Sequence, residues 1–450
     1  MSLMPLHVVV IGGGIGGLCL AQSLKATGVS IAVYERNSSD VWREGYRIHL
    51  SPVGNQALHK CLPPILWEAY LATARKPSLG MGYLTEQLQE LIVVDGVTSN
   101  RTGNPINTHY PVSRIALRRL LLAGLEDVVR FDKVFERYEC TRDGKVTAYF
   151  TDGTSATGDV LVGADGANSK VRKQYLPQAS RVELGVMGVL GGKLLLTGQT
   201  RAWLPSQLMM RTNLIMPPDR YFLASFPIDR VPASAEALNS VCEKAKAAGL
   251  NPELLIDNTP DHMLWGFFAP INECSLDMRC LDGHGLQRVV GEMMEGWHPD
   301  VCRLVAESDP SSISVTSFKA STLIGPWESS NVTLLGDSIH NMPPVGGLGG
   351  NMALRDACSL ANALTVVERG KLPLVPAIQA YEAEMREYGF AAVRTALRRT
   401  EQMVMSNRIE RSALRTYFRI CNTVPPLKRA FESKWIAAMM RNRPRPTSLK

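Results

Sequence analysis

Residues 7–36 read HVVVIGGGIGGLCLAQSLKATGVSIAVYER, and this stretch decides the fold. The apolar run at 7–14 is typical of a strand that is buried on both faces, and it ends in consecutive glycines. Residues 15–27 have helical spacing, and Gly28 stands where a helix C-cap favours glycine. A second apolar run follows at 30–36. The order strand, helix, strand predicts the start of a doubly wound α/β sheet.

The glycines of this stretch match the fingerprint G-x-G-x-x-G at Gly12, Gly14 and Gly17. The first glycine permits the tight turn, the second lets the backbone approach a pyrophosphate, and the third permits close helix–strand packing. Glu35 ends the second strand, where a carboxylate can hold the ribose hydroxyls of an adenosine. The stretch therefore predicts a dinucleotide site, and by itself it does not separate NAD from FAD.

Composition excludes several classes of protein. The 450 residues are 45% hydrophobic with a net charge of +7, and we interpret the Lys and Arg residues as scattered, which predicts no nucleic-acid partner. The cysteine number, nine, is odd, and no C-x-x-C pair occurs, which favours reduced thiols over a disulfide framework or a metal site. We see no secretory signal, and no apolar run reaches the ~20 residues of a membrane helix. We expect a cytoplasmic protein without an integral membrane segment.

Two further apolar runs, 159–166 and 332–338, lead into acidic turns and are expected to join the first sheet. Between them lie strand-like segments that predict a second, mostly antiparallel sheet, with a helix over 234–250. Residues 373–440 have a helical pattern, and the tail RNRPRPTSLK is basic and proline-bearing. We predict a dinucleotide-binding domain at 1–178 that returns at 326–372, a substrate-binding β-sheet domain at 179–325, and a helical segment at 373–450.

Two later motifs narrow the choice of cofactor. They are LVGADGANSKVR at 161–172 and LLGDSIHNMPPVGGLGGN at 334–351. Together with the fingerprint, they make the chain resemble the class A, single-component flavin-dependent monooxygenases, which have the p-hydroxybenzoate hydroxylase fold. The segment REGYRIHLSPVGNQALHKCLPP at 43–64 is most similar to the fungal and actinobacterial branch that serves natural-product pathways.

The resemblance implies non-covalent FAD, with NADPH or NADH as a transient reductant, and assigns residues to both. We predict Arg47 and Pro344 as catalytic residues. Asp337 is expected at the ribityl and phosphate part of the flavin, and Arg114 near the pyrophosphate. The glycine-rich loop is expected along the isoalloxazine edge. The full predicted cofactor-binding set is Gly12, Gly14, Gly17, Glu35, Arg47, Arg114, Asp165, Asp337, Gly347, Gly349, Gly350 and Asn351.

The sequence departs from the family pattern at two positions of this loop. Leu348 stands where a polar residue is common, and Gly350 where a larger residue is usual.

Asp165 and Arg47 are expected to help bind the nicotinamide donor, because no second fingerprint follows a strand. His340 is interpreted as a residue that satisfies backbone groups, and His49 and His262 as weak candidates. The general base is not identified.

The activity implied by the resemblance is insertion of one oxygen atom from O2, through a flavin C4a-hydroperoxide, into a small organic substrate. Hydroxylation, epoxidation and Baeyer–Villiger insertion all stay open. Segments rich in Leu, Met, Phe and Trp predict an apolar, multi-ring substrate of secondary metabolism, although the same residues suit a packed core. Tyr83, Arg211 and Tyr221 fall in segments expected to line the substrate cavity. A flavin oxidase or reductase and a non-catalytic FAD-binding pathway protein remain alternatives, and no W-x-W-x-I-P motif supports a halogenase.

Overall fold

The structure is a computed structural model that describes residues 5–39, 47–75, 77–95, 103–229, 235–274, 277–405 and 407–440. The predicted tail at 441–450 and the start of the segment at 43–64 lie outside the described residues. In chain order the strands are β1 His7–Ile11, β2 Ser30–Tyr34, β3 Arg47–Leu50, β4 Gly80–Leu84, β5 Glu90–Asp95, β6 Tyr110–Ser113, β7 Val129–Arg130, β8 Phe135–Cys140, β9 Val146–Phe150, β10 Ser155–Gly158, β11 Val160–Gly163, β12 Arg181–Leu195, β13 Thr212–Ile215, β14 Phe222–Ile228, β15 His262–Pro270, β16 Ser314–Ser321 and β17 Val332–Leu334.

The helices are more numerous in the second half of the chain. They are α1 Ile15–Ala26, α2 Pro52–Cys61, α3 Pro64–Ala72, α4 Arg114–Leu122, α5 Lys170–Tyr175, α6 Gly198–Trp203, α7 Ser206–Met210, α8 Ala235–Ala247, α9 Gly283–Met293, α10 Pro299–Ala306, α11 Asp337–His340, α12 Gly349–Glu368, α13 Leu374–Thr400, α14 Arg408–Thr423 and α15 Pro425–Met440. A π-helical turn, Glu401–Met405, follows α13. No helix among the described residues combines the length and the apolarity needed to cross a bilayer.

The first sheet has five parallel strands in the order β17-β11-β1-β2-β7. Four of them are the four apolar runs predicted from the sequence, and only the two-residue β7 was missed. Val9 pairs with Leu161 on one side and Ala32 on the other. The inner residues of β1 are fully buried, as expected for a strand covered by helices on both faces. This confirms the predicted doubly wound sheet.

The second sheet has seven strands in the order β16-β12-β15-β14-β13-β4-β5. All neighbours are antiparallel except β13 and β4, so the predicted mostly antiparallel sheet is confirmed. The last two strands at one end of this sheet, β4 and the edge strand β5, come from 80–95, within the stretch predicted to belong to the dinucleotide-binding domain. Parallel pairing of β4 with β13 brings them here, and such long-range pairing leaves no local pattern. The predicted domain boundaries stay a prediction.

The helices pack around the two sheets, which border a common cavity. Helix α12 packs on α1, α2 and α13, and it begins at Gly349, within the glycine-rich stretch. The predicted helix at 234–250 is α8, which packs on α3 beside the first sheet rather than on the second. Helices α13, α14 and α15 confirm the predicted helical C-terminal segment. Helix α14 packs on β5 through Phe418 and Cys421.

Candidate cofactor and substrate site

The first glycine turn has little room for side chains. Gly12 has φ +112°, and a Cβ there would lie 2.4 Å from the carbonyl oxygen of Ala164. A Cβ on Gly17 would lie 2.1 Å from the carbonyl oxygen of Gly12, so the helix and the turn are in direct contact. Gly14, the N-cap of α1, has no atom within 4 Å of a Cβ position and borders an open cavity. The first and third glycines thus close the turn, and the second leaves space for a ligand.

Glu35, which directly follows β2, holds this turn in place through hydrogen bonds of its carboxylate. Its Oε2 accepts a hydrogen bond from the backbone N–H of Gly13 at 2.8 Å, and its Oε1 accepts one from Asn37 at 3.0 Å. Arg118 donates to Glu35 Oε2 at 3.3 Å and to the carbonyl of Gly13 at 3.0 Å. Glu35 is buried and, like Gly12, is not among the cavity-lining residues. Its adenosine contact therefore stays a prediction.

The Gly-Asp turn after β17 is likewise held by a buried carboxylate that accepts a hydrogen bond from a backbone N–H. Gly336 has φ +63°, and its N–H donates to Asp356 Oδ2 at 2.7 Å. The same Oδ2 lies 2.6 Å from His340 Nε2, and Tyr388 donates to Oδ1 at 2.6 Å. His340 therefore pairs with a buried carboxylate rather than with backbone groups, and this carboxylate, Asp356, raises the pKa of His340 against the effect of burial. The exposed Asp337 is left to border the cavity.

The glycine loop at 346–350 connects this turn to α12. Gly346 and Gly347 have φ +92° and +63°, conformations that favour glycine. Asn351 Nδ2 donates to the carbonyls of Gly347 and His49 at 2.8 and 2.7 Å, and its Oδ1 accepts from the N–H of Ser51 at 2.8 Å. The Asn351 side chain thus fixes the loop, and only backbone of this helix start is left for a ligand. We call Gly12–Gly17 and Gly346–Asn351 together the glycine cradle.

Both parts of the cradle border one cavity of about 1840 Å³. Ordinary small-molecule pockets are roughly 300–1,000 Å³, so this space can hold a dinucleotide and a second molecule. The N-termini of α1 and α12 both open into it, and each presents unpaired N–H groups and the positive end of its dipole. Of the predicted set, the cavity is lined by Gly14, Gly17, Arg47, Arg114, Pro344, Asp337, Gly347, Gly349, Gly350 and Asn351.

Asp165 lies behind the cavity rather than in its wall. Its Oδ2 accepts hydrogen bonds from the N–H groups of Lys170 and Val171 at 2.7 and 3.3 Å, at the start of α5. Burial raises the pKa of this carboxyl. Its predicted part in binding the nicotinamide donor stays a prediction, and the geometry gives it a capping role.

Arg47 extends from β3 toward the second sheet. Its guanidinium lies 4.8 Å from the ring centre of Phe226, and no carboxylate pairs with it among the described residues. Burial lowers its pKa to about 10, so it remains a cation at neutral pH. A buried cation without a counter-charge costs free energy, and an anionic ligand group would offset that cost.

The sequence did not reveal a histidine pair beside Arg47. His49 Nε2 lies 2.8 Å from His109 Nδ1, and the two rings are stacked in the cavity wall. Burial, His109 and Arg47 together hold the pKa of His49 well below its ordinary value. Antiparallel pairing of β3 with β6 brings the two residues together. No local pattern signals a pairing between histidines 60 positions apart.

Helices α14 and α15, residues 408–440, close the far side of the cavity, and we call them the helical wall. Phe418 packs on Tyr83 and Phe431 with ring centres 4.8 and 5.6 Å apart, and Trp435 Nε1 donates to the hydroxyl of Tyr83 at 3.4 Å. The wall residues that line the cavity are Glu410, Leu414, Tyr417, Phe418, Phe431, Glu432 and Trp435. The space facing the cradle is therefore mainly aromatic.

Of the other sequence candidates, Tyr83 lines the cavity and three do not. Arg211 pairs with Asp95 at 2.9 Å, and Tyr221 packs on Phe267 on the opposite face of the sheet. His262 is buried in β15 and contacts the carbonyl of Pro260 at 2.8 Å. The segments of Arg211 and Tyr221 line the cavity through Thr212 and Phe222, and Arg211 and Tyr221 themselves alternate away from that face.

Comparison with known proteins identifies the cofactor. A family model described as "FAD binding domain" matches residues 5–228 and 287–396. The dual O-methyltransferase/FAD-dependent monooxygenase CTB3 of Cercospora beticola is 33% identical over 402 residues, which are 84% of this chain and 44% of that protein. The chain thus spans less than half the length of the first curated relatives it matches. The FAD-dependent monooxygenase phnB of Penicillium herquei is 29% identical over 92% of this chain and 94% of its own length.

A solved structure supports the same assignment. A protein of Photorhabdus luminescens subsp. laumondii, described as an FAD-containing monooxygenase, superposes with a TM-score of 0.76. It is 33% identical, and the match covers 89% of this chain and 99% of that one. The open glycine cradle, with two helix N-termini at one cavity, fits the phosphates and the ring system of FAD.

Proposed function

The chain belongs to the FAD binding domain family, and from this premise we propose that it is a class A FAD-dependent monooxygenase, which consumes NADPH or NADH and inserts one oxygen atom from O2 into an apolar, electron-rich molecule of secondary metabolism. One observation carries the proposal. The glycine cradle and an aromatic cavity meet, so a flavin in the cradle faces a space that suits a ring system.

The cradle would hold FAD mainly through backbone. The N–H groups around Gly14 would bind the pyrophosphate, with Arg114 beside it, and Asp337 would bind the ribityl side. The N-terminus of α12, at Gly349 and Gly350, would stabilise negative charge on the reduced ring system. When bound, FAD supplies the hydride acceptance and oxygen activation that no side chain of this chain supplies.

Arg47 would hold an anionic oxygen at the substrate side. Its guanidinium already lies over the ring of Phe226, so a planar substrate can stack there while the charge is paired. Because no carboxylate pairs with Arg47 among the described residues, a substrate anion would not compete with a protein group. The sequence predicts Arg47 as a catalytic residue without this role, and holding a substrate oxygen is the role that we propose for it.

The His49–His109 pair would move protons. In a neutral hydrogen-bonded pair one ring nitrogen donates and the other accepts, so a proton taken up at one ring can be passed to the other. Burial, His109 and Arg47 lower the pKa of His49, so its ring is neutral at pH 7 and any proton that it takes up is passed on readily. Pro344, which borders the cavity beside the glycine loop, would contribute shape rather than proton transfer.

The decisive experiment measures reductant use and product together. The purified protein should contain FAD that acid releases, and NADPH oxidation should accelerate with a suitable polycyclic compound. Under labelled dioxygen, mass spectrometry should detect one labelled oxygen atom in the product. NADPH use that yields only hydrogen peroxide with every compound would indicate an oxidase, and no reductant use would indicate a binding protein.

A further inference from the structure

The positive charge of the chain is concentrated at one end. Residues 408–450 contain eleven Lys and Arg and two acidic residues, a net charge of +9. Since the whole chain carries +7, residues 1–407 carry −2. The expectation that the basic residues are scattered is therefore wrong, because this tenth of the chain holds eleven of the 49 Lys and Arg and two of the 42 Asp and Glu. The two acidic residues, Glu410 and Glu432, both border the cavity.

The outer face of the helical wall carries exposed apolar side chains between its charged residues. Five of the fourteen large apolar side chains exposed among the described residues lie in this one short stretch. They are Ile409, Tyr417, Ile420, Val424 and Leu427, exposed by 82, 50, 48, 39 and 44%. Ile409, Ala413, Ile420 and Val424 have the spacing of one helix face, so they form a continuous stripe along α14. The exposed Arg419 lies on the flank of the stripe.

The opposite face of the same helix is firmly attached to the protein. Arg411 is buried and donates to the carbonyl of Tyr221 at 2.6 Å, and Arg415 pairs with Glu86 at 3.1 Å. Phe418 and Leu414 pack inward toward β5 and the cavity. The stripe is therefore held outward by a structured helix, and Tyr417 belongs both to the stripe and to the cavity wall.

We propose that the outer face of α14 and the start of α15 bind the surface of an anionic lipid bilayer, with the apolar stripe in the interface and the flanking Arg and Lys at the headgroups. An exposed apolar helix face with cations at its flanks suits this interface, where the apolar side chains enter and the cations meet the headgroups. Each cation near an anionic surface adds to the attraction, and salt weakens it. Because Tyr417 joins the stripe to the cavity, bound protein would present the cavity opening to apolar molecules dissolved in the bilayer.

Charge favours this occupant over a second copy of the chain. A two-fold dimer formed through the stripe would bring the exposed Arg419 and Arg429 of two copies toward each other, and like charges at short range oppose association. A bilayer with anionic headgroups supplies the opposite charge and an apolar layer in one surface. The proposal does not depend on the oxygenation reaction, so it can fail or hold independently of the proposed function.

Vesicle flotation of the FAD-containing full chain tests the proposal. The probes are vesicles of phosphatidylcholine alone and of phosphatidylcholine with phosphatidylserine, at low and high salt. We expect the protein to float with the anionic vesicles at low salt and to be released by high salt. The double variant Ile409→Ser with Ile420→Ser, and separately Arg419→Glu with Arg429→Glu, should each weaken binding roughly tenfold or more.

Matched controls separate the stripe from general surface effects. Val366→Ser with Leu372→Ser changes two other exposed apolar residues, and Arg369→Glu with Lys371→Glu reverses two other exposed charges. Both controls should bind vesicles as the unmodified chain does. Thermal melting and flavin content verify that every variant is folded. Failure to float with anionic vesicles, equal loss in the controls, or a dimer in solution that Ile409→Ser with Ile420→Ser dissociates would each overturn the proposal.

Discussion

The glycine cradle and the helical wall border the same cavity and are built by opposite means. In the cradle, backbone conformation and the absence of Cβ atoms make the surface, as the contacts of Gly12 and Gly17 show. In the wall, aromatic side chains such as Phe418 and Trp435 make it. The matching family model covers the cradle and ends at residue 396, before the wall begins. The part that the family shares thus depends on backbone, and the wall depends on side chains outside the family match.

Gly349→Asp tests the cradle and should have the largest effect. Gly349 has no positive φ, and the nearest atom to its Cβ position is Asp337 Oδ1 at 3.6 Å, so the fold should tolerate the side chain. The added carboxylate would lie near Asp337 and at the helix N-terminus that should face reduced flavin. FAD content, or the anaerobic rate of flavin reduction, should fall roughly tenfold or more. Gly349→Ala is the control and should keep its FAD; full FAD and an unchanged rate in Gly349→Asp would remove the loop from the flavin site.

Phe418→Ala makes the corresponding change in the wall. Its ring is buried between Tyr83 and Phe431, and truncating a buried Phe costs about 3–5 kcal/mol of unfolding free energy. FAD content should stay unchanged, while stimulation of NADPH oxidation by polycyclic compounds is lost. The control is Phe150→Ala, a buried ring that packs on Tyr34 beside the first sheet. If Phe418→Ala loses FAD as well, the division between cradle and wall is wrong.

Arg47→Met tests the charge that lies between the two regions. Removing a half-buried cation that has no carboxylate partner among the described residues should leave the melting temperature equal or higher. Substrate-stimulated NADPH oxidation should nevertheless fall by roughly tenfold, because the anionic oxygen loses a charge-assisted partner. Arg47→Lys should have a rate of substrate-stimulated NADPH oxidation between those of the unmodified chain and Arg47→Met. A variant that melts lower and reacts normally would indicate that Arg47 is a structural residue.

Gly28→Ala is a backbone change far from the cavity and should affect stability alone. Gly28 follows α1 with φ +82°, and no atom lies within 4 Å of a Cβ position. The cost is therefore conformational, about 1–2 kcal/mol. Denaturant unfolding measures it, and flavin content and reduction rate should not change. Gly28→Asn should cost less, because Asn accepts this conformation more readily; any effect on flavin reduction would contradict the assignment.

His49→Gln should have the smallest effect, a change in the pH dependence of stability. Since the folded-state pKa of His49 is lowered, only the unfolded chain takes up this proton as the pH falls below about 6.5. Stability should therefore decline from pH 7 to pH 5, and the decline should be smaller in the variant by at most about 1.4 kcal/mol per pH unit. Arg47 and His109 face His49 and keep its pKa low. Melting at both pH values, with the exposed His284→Gln as control, measures the difference; identical slopes would refute a neutral His49.

Much of the cradle was predictable because its requirements are local. The spacing of Gly12, Gly14 and Gly17 after a strand, and the left-handed turn at Gly28, depend on neighbours within a few residues. The membership of four apolar runs in one sheet and the position of the glycine loop followed from the same type of pattern, whereas the strand order was not predicted. The cofactor assignment needed the additional resemblance carried by the Asp-Gly and Gly-Asp motifs.

The tertiary structure alone decided which residues meet across long distances in the chain. Pairing of β3 with β6 joins His49 to His109, and pairing of β13 with β4 brings residues 80–95 into the second sheet. Packing also turned Asp165 to the start of α5, engaged Glu35 with Gly13, and left the apolar stripe of α14 facing outward. A sequence encodes periodicity and backbone preference residue by residue. Strand register, and which face of a helix finds a partner, depend on the free energy of the whole packed chain.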